Sequence, residues 1–356
     1  MKLSVGIDGP TRLVVRQQCL ATGWGTRHER KKMGLLRSLA VVVAIYCAVP
    51  VVAAAATLAV DCDAGEKIQP KVNQAKPGDI FEVVGTCSEN VLVQEEVYRI
   101  TIDGRGKAII KGPDARRGTF LIRGRGILIK RFSISGGQDG IRVDGGGTAQ
   151  IEGNVIQSTG RDGIHLASGT AVIDNNTIEL ADTGIVLDRS SFALITKNMV
   201  RNNRGPGIVV RENSVARIGI TAPVGTDVTP NMIQSNGGPG VTVWRSSTAW
   251  IVGNTIGSNK GNGVWVNRSS QAYVATNAIN GNAGDAIGVS HNSGVTLGSE
   301  GSARRDEPNK TESTANNVGF GINCFFGGYV DGPLGTLSGA KGAKNFETAC
   351  LDGLKP

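Results

Sequence analysis

Two consecutive segments decide the fold: GIHLASGTAVIDNNTIELADT at residues 163–183 and GIVLDRSSFALITKNMVRNNRGP at residues 184–206. Each begins with Gly-Ile-x-Leu, continues with Ala-x-Ile, and places an Asn three residues after that second Ile. Apolar residues alternate with others inside each piece, which is the pattern of short β-strands and not of an amphipathic helix. Each segment therefore predicts three short strands joined by tight turns.

The same unit recurs along most of the chain. Its first piece starts at Gly140, Gly163, Gly184, Gly207, Gly240, Gly263 and Ala286. Its second piece starts at Ala149, Ala171, Ala193, Ala216, Ala249 and Ala272, and its Asn recurs at 154, 176, 198, 231, 254 and 277. A four-residue strand cannot bury its apolar face alone, but coils stacked about 4.8 Å apart place like residues on like. We expect an all-β, single-stranded parallel β-helix of about nine or ten coils, with Ile, Val and Ala columns inside.

These motifs resemble the right-handed parallel β-helix superfamily, the pectin-lyase-like proteins, over roughly residues 75–322. The resemblance implies that Asn154 through Asn277 form a hydrogen-bonded ladder in the turn between the second and third strands. It also implies that a ligand binds on the outer face of the first strands. The chain lacks the Asn-Thr-Asp, Asp-Asp and Gly-His-Gly motifs of the polygalacturonase-type members, so the resemblance predicts the fold and leaves the activity open.

The start of the chain has a different character from the repeats. Residues 1–32 carry no pattern and are interpreted as an over-extended start, since Met33 would make an ordinary one. Residues 33–56 combine basic residues, the apolar run Ser38–Val52 and four alanines, which is typical of a secretory signal peptide. A retained membrane anchor is the alternative. We expect a secreted or periplasmic protein without stable membrane insertion after cleavage. The remainder is predicted to form an N-terminal cap with the first coils (57–115), the repeats (116–322) and a C-terminal cap (323–356).

Charge and composition exclude some functions. Residues 1–56 hold eight basic residues against Asp8 and Glu29, so the formal charge of +8 leaves about +2 for the other 300 residues. A chain this evenly balanced is not predicted to bind nucleic acid. Glycine is 51 of 356 residues, and we assign the excess to turns. The segment 104–131 is locally basic and faces only Asp114, which favours a polyanion as partner, with a solvated outer face as the alternative.

Four cysteines follow the predicted cleavage site: Cys62, Cys87, Cys324 and Cys350. In an exported chain they predict two disulfides, and the local pairs Cys62–Cys87 and Cys324–Cys350 would tie down the two ends. Metal ligation is the alternative, but the sequence has no Cys-x-x-Cys spacing. No metal site is predicted from these residues.

Polar residues gather on the first-strand face of the earlier coils. Asp139, Arg142, Asp162 and His165 should fall on adjacent coils, where carboxylate spacings are close to those that glycoside hydrolysis needs. His165 would act as acid or base, and a lyase would use the carboxylates for Ca²⁺ and an arginine as base. The alternative is a solvated ladder of turn aspartates and arginines.

Aromatic residues gather on the later coils of the same face. Alternation directs Trp244 and Trp265 outward, beside Arg211, where indole faces suit sugar rings. Aromatic packing between rungs is the alternative, as for Trp250 over Tyr273 on the second-strand face.

We therefore expect a protein that binds an extended carbohydrate or other surface polymer along the first-strand face. A polysaccharide lyase, hydrolase or epimerase acting on an acidic polysaccharide is one alternative, with Ca²⁺ as cofactor in the lyase case. A structural or adhesive surface protein without a ligand site is the other.

Overall fold

The computed structural model describes residues 55–221, 228–298, 307–312 and 316–355. The predicted over-extended start, and all but the last two residues of the predicted signal peptide, lie outside the described residues. The described chain winds into a right-handed all-β parallel β-helix of about 12 turns, which confirms the predicted fold class.

Three parallel sheets, with strands numbered β1–β33 along the chain, form the walls of the coil. The first-strand sheet contains β4 (Val91–Val93), β7 (Phe120–Ile122), β10 (Ile141–Asp144), β13 (Asp162–Ala167), β16 (Thr183–Asp188), β19 (Ile208–Arg211), β22 (Val241–Trp244), β25 (Val264–Asn267), β28 (Ile287–Ser290), β30 (Ile322–Phe325) and β32 (Lys344–Phe346). The second-strand sheet contains β1 (Thr57–Asp61), β2 (Ile80–Val84), β5 (Thr101–Asp103), β8 (Ile127–Lys130), β11 (Thr148–Glu152), β14 (Thr170–Asp174), β17 (Phe192–Thr196), β20 (Val215–Ile218), β23 (Thr248–Val252), β26 (Gln271–Ala275), β29 (Ser293–Leu297), β31 (Gly328–Pro333) and β33 (Leu351–Lys355). The third-strand sheet contains β3 (Thr86–Ser88), β6 (Ile109–Gly112), β9 (Ser133–Gly136), β12 (Val155–Gln157), β15 (Thr177–Glu179), β18 (Met199–Arg201), β21 (Met232–Gln234), β24 (Thr255–Gly257) and β27 (Ala278–Asn280).

The core consists of columns of identical positions. Ile164 lies in register with Ile141 on one side and Ile185 on the other, and all three are fully buried. The alanines of the second piece form a parallel column, as in Ala171 opposite Ala193. Each fully buried Ile contributes roughly 1.5–3 kcal/mol, so every added coil stabilises the stack.

The glycine before each first strand has a packing role. A Cβ added at Gly163 would lie 2.3 Å from Ile178 Cγ2 and 2.7 Å from the Gly184 carbonyl oxygen, and Gly140 and Gly184 are equally crowded. None of these three has a positive φ. Part of the glycine excess that we assigned to turns therefore reflects close packing of the first strand against the third.

Three ladders of buried polar side chains hold the turns in register. The predicted one is present, with Asn154 Nδ2 donating to Asn176 Oδ1 at 3.0 Å, and it extends one rung beyond the prediction to Asn309. Two more were not predicted. One consists of asparagines before the first strand and the other of serines after it: Asn203, Asn236, Asn259, Asn282 and Asn317; Ser191, Ser214, Ser247, Ser270 and Ser293.

The ends of the coil carry the two predicted disulfides, Cys62–Cys87 and Cys324–Cys350. The coil is longer than the nine or ten turns expected, because non-repetitive sequence also coils. The segment predicted as a C-terminal cap contains β31, β32 and β33, which pair in parallel with the strands below them. In these segments backbone pairing continues although the side-chain motif has ended.

The N-terminal segment also includes a short helix, α1 (Ile68–Val72), whose Ile68 and Val72 are buried in the core. Among the residues described, none of the helical structure has the length and apolar content of a membrane span.

Candidate functional site

The predicted polar residues meet on three adjacent rungs of the first-strand face. Arg142 on β10 lies in register with His165 on β13, and Ala167 at the end of β13 lies opposite Asp188 on β16. We call the following group the histidine centre: Asp139, Arg142, Arg161, Asp162, His165 and Asp188. The sequence named four of these as catalytic candidates, and the structure brings all four together.

His165 lies between carboxylates on both sides of its ring. Its Nδ1 is 3.1 Å from Asp162 Oδ2 and 3.8 Å from Asp139 Oδ2, and its Nε2 is 3.3 Å from Asp188 Oδ2. The imidazole is only 4% exposed and the Asp139 side chain is fully buried. Such an arrangement excludes water from the ring, so the charges of the neighbouring side chains act strongly on the protonation of the imidazole.

Two arginines cover the same side of the ring. Arg161 Nη2 lies 2.6 Å from His165 Nδ1, and Arg161 Nε donates to Asp162 Oδ2 at 2.9 Å. Arg142 Nη1 lies 3.3 Å from His165 Nδ1 and 3.3 Å from Asp139 Oδ2. The buried carboxylates are thus paired with guanidinium groups, as buried charges must be.

These contacts shift two pKa values in opposite directions. Burial alone would lower the pKa of His165, but hydrogen bonds with Asp162 and Asp188 and the charges of Asp139 and Asp162 outweigh it and raise the pKa above 6.5. Burial alone would raise the pKa of Asp188, but hydrogen bonds from His165 and Arg211, with their charges, lower it from 3.8 to about 2.

A second group lies further along the same face. Arg211, Trp244 and Asn267 are in register on successive rungs, and Thr242 lies opposite Trp265 in the neighbouring column. We call these five residues the tryptophan patch. The predicted ligand-binding residues Arg211, Trp244 and Trp265 are therefore neighbours, with both indoles half-buried.

Buried polar atoms without a partner concentrate on this face. Six of the eight such side-chain atoms among the described residues belong to it: Asp188 Oδ1, Arg211 Nε, Thr242 Oγ1, Trp244 Nε1, Trp265 Nε1 and Asn267 Nδ2. Native structures pair nearly all buried polar groups, so a contiguous set of unpaired ones marks a place where a ligand can supply the partners.

The face of Trp244 itself is covered. The guanidinium carbons of Arg245 and Arg268 lie 4.4 and 5.2 Å from the centre of its ring. Sequence reasoning missed both arginines, although each directly follows the outward column that contains the tryptophan. Trp250 lies on the second-strand face, in register with Tyr273 and with Arg217 at 5.9 Å, and so does not join the patch.

Two cavities lie along the earlier rungs of this face, and the larger one shares Arg142 with the histidine centre. One of about 390 Å³ is lined by Arg123, Arg142, Asp144 and Arg189 among others, and one of about 260 Å³ by Arg117 and Arg123. The basic segment 104–131 has more acidic partners than its own sequence suggested, because neighbouring rungs supply them. Arg123 pairs with Asp144 at 3.0 Å, and Arg105 and Arg131 pair with Glu82 and Asp103.

The fold and this face define the class of the protein: a right-handed parallel β-helix with polar and aromatic residues along the outer side of its first strands. Within that class, the family described as "Periplasmic copper-binding protein (NosD)" matches residues 99–297, more than half of the chain, and the protein belongs to that family.

Solved structures with the same fold include three carbohydrate-active proteins. The A-module of a mannuronan C-5 epimerase from Azotobacter vinelandii is 14% identical, with a TM-score of 0.50 over 79% of this chain and 82% of that one. A double mutant of the periplasmic alginate epimerase is 14% identical, with a TM-score of 0.58 over 84% and 76%. A pectate lyase is 10% identical, with a TM-score of 0.50 over 83% and 79%. At these identities the likeness concerns the fold alone. No curated protein matches the sequence significantly.

Proposed function

We propose that this protein is an exported β-helix protein that binds an extended polysaccharide along the outer face of its first strands. The observation that carries this proposal is the run of unpartnered buried polar atoms on the tryptophan patch. Each unpaired group costs about 1–3 kcal/mol, and sugar hydroxyl and ring oxygens supply both acceptors and donors. Binding would therefore recover a cost that the folded protein already bears.

The patch also offers an apolar surface next to these atoms. Trp265 is half-buried, and its Cδ1 would lie 3.5 Å from a Cβ added at Gly288 on the next rung. The Asn262 amide occupies the space beside Gly288, with its Nδ2 2.3 Å from the same Cβ position, so that edge of the indole has a polar neighbour. The part of the indole that remains exposed suits the apolar side of a pyranose ring. Trp265 is thus the sugar-stacking residue in this proposal, since the Trp244 ring is occupied by arginines.

The shape of the face supports a linear ligand. The first-strand sheet is continuous from β4 to β32, so equivalent positions repeat at each rung and match a polymer better than a single small molecule. Three of the similar solved structures are named as mannuronan or alginate epimerases and a pectate lyase, which supports a polymer partner.

Export is part of the proposal. Two disulfides favour an oxidising compartment, and the family description is that of a periplasmic protein. The residue pattern of 33–56 is typical of a signal peptide. We accordingly propose an extracellular or periplasmic location.

A panel of neutral and acidic polysaccharides tests the binding proposal, with and without Ca²⁺. Affinity should fall about tenfold in Trp265→Ala and remain unchanged in Trp250→Ala, the matched tryptophan on the second-strand face. Failure to bind any polymer, or equal losses in the two variants, would refute the proposal.

A polysaccharide-modifying enzyme is the second candidate, favoured by the buried histidine between carboxylates. The contacts with Asp162 and Asp188 raise the pKa of His165 and so favour its protonated form, which suits it to donate a proton and not to abstract one. Arg161 covers the ring, so a substrate would reach His165 only after Arg161 moves. Turnover on the same panel that is lost in His165→Ala and Asp162→Asn would establish this function, and its absence would exclude it.

Copper, which the family description names, does not fit the residues as arranged. Ligand atoms of Asp139, Asp162 and His165 lie within 4.8 Å of one another, but Arg161 and Arg142 direct guanidinium groups at the same nitrogen and oxygens. The cysteines Cys62, Cys87, Cys324 and Cys350 are all in disulfides and offer no thiolate. A cation there would have to displace two positive charges, so we assign no role to copper at this centre.

A further inference from the structure

Two guanidinium groups from successive coils lie on the ring of Trp244. Arg245 Cζ is 4.4 Å from the ring centroid, and Arg268 Cζ is 5.2 Å from it. The negative face of an indole attracts a guanidinium group held over it, and the guanidinium N–H groups can still donate to an anion. Both arginines are exposed, and Arg245 Nη1 donates to Glu212 Oε1 at 2.9 Å, which leaves its other N–H groups for a ligand.

The two arginines project from equivalent positions. Both have left-handed backbone, with φ of 57° and 55°, and the residues before them, Trp244 and Asn267, are in register. Neighbouring rungs are about 4.8 Å apart, which allows one oxyanion to accept hydrogen bonds from both side chains.

The surroundings are positive and rich in donors. Arg211 lies one rung below Trp244, paired with Asp188 at 2.9 Å, and Arg245 is paired with Glu212 at 2.9 Å. Among the described residues, no carboxylate lies within ion-pair distance of Arg268. Three of the unpartnered buried atoms here, on Arg211, Trp244 and Asn267, are donors. Like charges on adjacent rungs repel, and an anion between them would relieve that repulsion.

We infer that Arg245 and Arg268, held on the ring of Trp244, form a clamp for a single oxyanion group. The ligand group is a carboxylate, a sulfate or a phosphate. The inference rests on the proposed function where the oxyanion belongs to a polysaccharide. In that case the polysaccharide would place one anionic substituent between Arg245 and Arg268 and a sugar ring near Trp265.

The test compares four probes at fixed ionic strength: an oligogalacturonate, a sulfated galactan oligosaccharide, a neutral galactan oligosaccharide of equal length, and inorganic phosphate. Calorimetry gives the affinity, and the ¹⁵N–¹H signal of the Trp244 indole reports occupancy of the clamp. The variants are Arg245→Gln, Arg268→Gln and the double change to Lys. Arg217→Gln, which removes the guanidinium group over Trp250, is the matched control.

Anionic probes should bind and shift the Trp244 signal, and each Gln variant should weaken them about tenfold, with no rescue by Lys and no change in Arg217→Gln. Comparing the affinities of the oligogalacturonate and the sulfated galactan oligosaccharide shows whether the clamp prefers a carboxylate or a sulfate. If the neutral probe binds as tightly as the anionic ones, the clamp is wrong and polysaccharide binding stands. If only phosphate binds and Arg268→Gln abolishes it, the clamp stands and the proposed function fails. Anionic binding that is indifferent to both Gln variants would also overturn the clamp.

Discussion

Arg161 Nη2 lies 2.6 Å from His165 Nδ1, on the same side of the imidazole as Asp162 Oδ2 at 3.1 Å. The nitrogen accepts from Arg161 when it is unprotonated and donates to Asp162 when it is protonated, so the two contacts compete. The raised pKa favours the contact with Asp162, and protonation should displace the Arg161 side chain, which is 40% exposed.

The first prediction concerns pH. A His165 pKa above its unfolded value of 6.5 stabilises the fold fully below pH 6.5, and this contribution is lost as pH rises through the folded pKa. Urea unfolding at a series of pH values should show stability falling over that window, and His165→Gln should flatten the profile there. A wild-type profile that rises with pH over the same window would contradict the raised pKa.

Asp188 should make the opposite contribution. With its pKa lowered to about 2, it stabilises the fold above pH 3.8, and this stability is lost as pH falls from there towards 2. Asp188→Asn should cost roughly 2 kcal/mol at neutral pH, since a shift of one pKa unit corresponds to about 1.4 kcal/mol. The same variant should lower the pKa of His165, measured by NMR titration of the imidazole. An unchanged pKa of His165 would show that the contact between His165 Nε2 and Asp188 Oδ2, at 3.3 Å, contributes little to the stability of the protonated imidazole.

The asparagine ladder predicts a large loss at one internal rung. Asn198 Nδ2 donates to Ile173 O at 2.8 Å and to Asn231 Oδ1 at 3.0 Å, and Asn198 Oδ1 accepts from Asn176. Asn198→Ala leaves several buried groups unpaired at about 1–3 kcal/mol each, so unfolding free energy should fall by about 3–5 kcal/mol. Asn345→Ala, which removes an exposed contact with Asn323, is the control and should cost under about 1 kcal/mol. Equal effects at the two sites would show that the buried ladder contributes no more to the free energy of unfolding than an exposed amide contact does.

Gly163 tests the packing explanation for the glycine before the first strand. Gly163→Ala should cost about 2 kcal/mol or more through its contact with Ile178 Cγ2, and combining it with Ile178→Ala should show a favourable coupling energy. Gly146→Ala meets no atom within 4 Å but has a φ of +80°, so it should cost only about 1 kcal/mol. Strictly additive effects of the Gly163 and Ile178 changes, measured by denaturant unfolding, would show that Ile178 is not the obstacle and would leave only the contact with the Gly184 carbonyl oxygen.

The sequence by itself determined the architecture, because each motif repeats at one position per coil and stacking places like on like. The Ile columns follow from that rule, the ladder from Asn154 to Asn277 was implied by the resemblance to the pectin-lyase-like proteins, and both disulfides were predicted from cysteine pairs at the two ends of an exported chain. The number of coils did not follow, since backbone hydrogen bonds continue the stack through residues 323–355 after the side-chain motif has ended. The two further ladders are visible as spacings, but a serine or an asparagine in a turn has several possible partners until the fold selects one.

The chemistry of the first-strand face was only partly determined in this way. Alternation in the sequence indicated that His165, Trp244 and Trp265 point outward, since outward direction depends only on strand period. The positions of Arg161 against the imidazole and of Arg245 and Arg268 on the indole were decided by tertiary structure. Arg161 lies four residues before His165 and Arg245 directly follows Trp244, so the sequence places them nearby, but their contacts depend on side-chain rotamers and turn conformation. Arg268 reaches the same indole from the next rung, and only the stacking of coils brings it there.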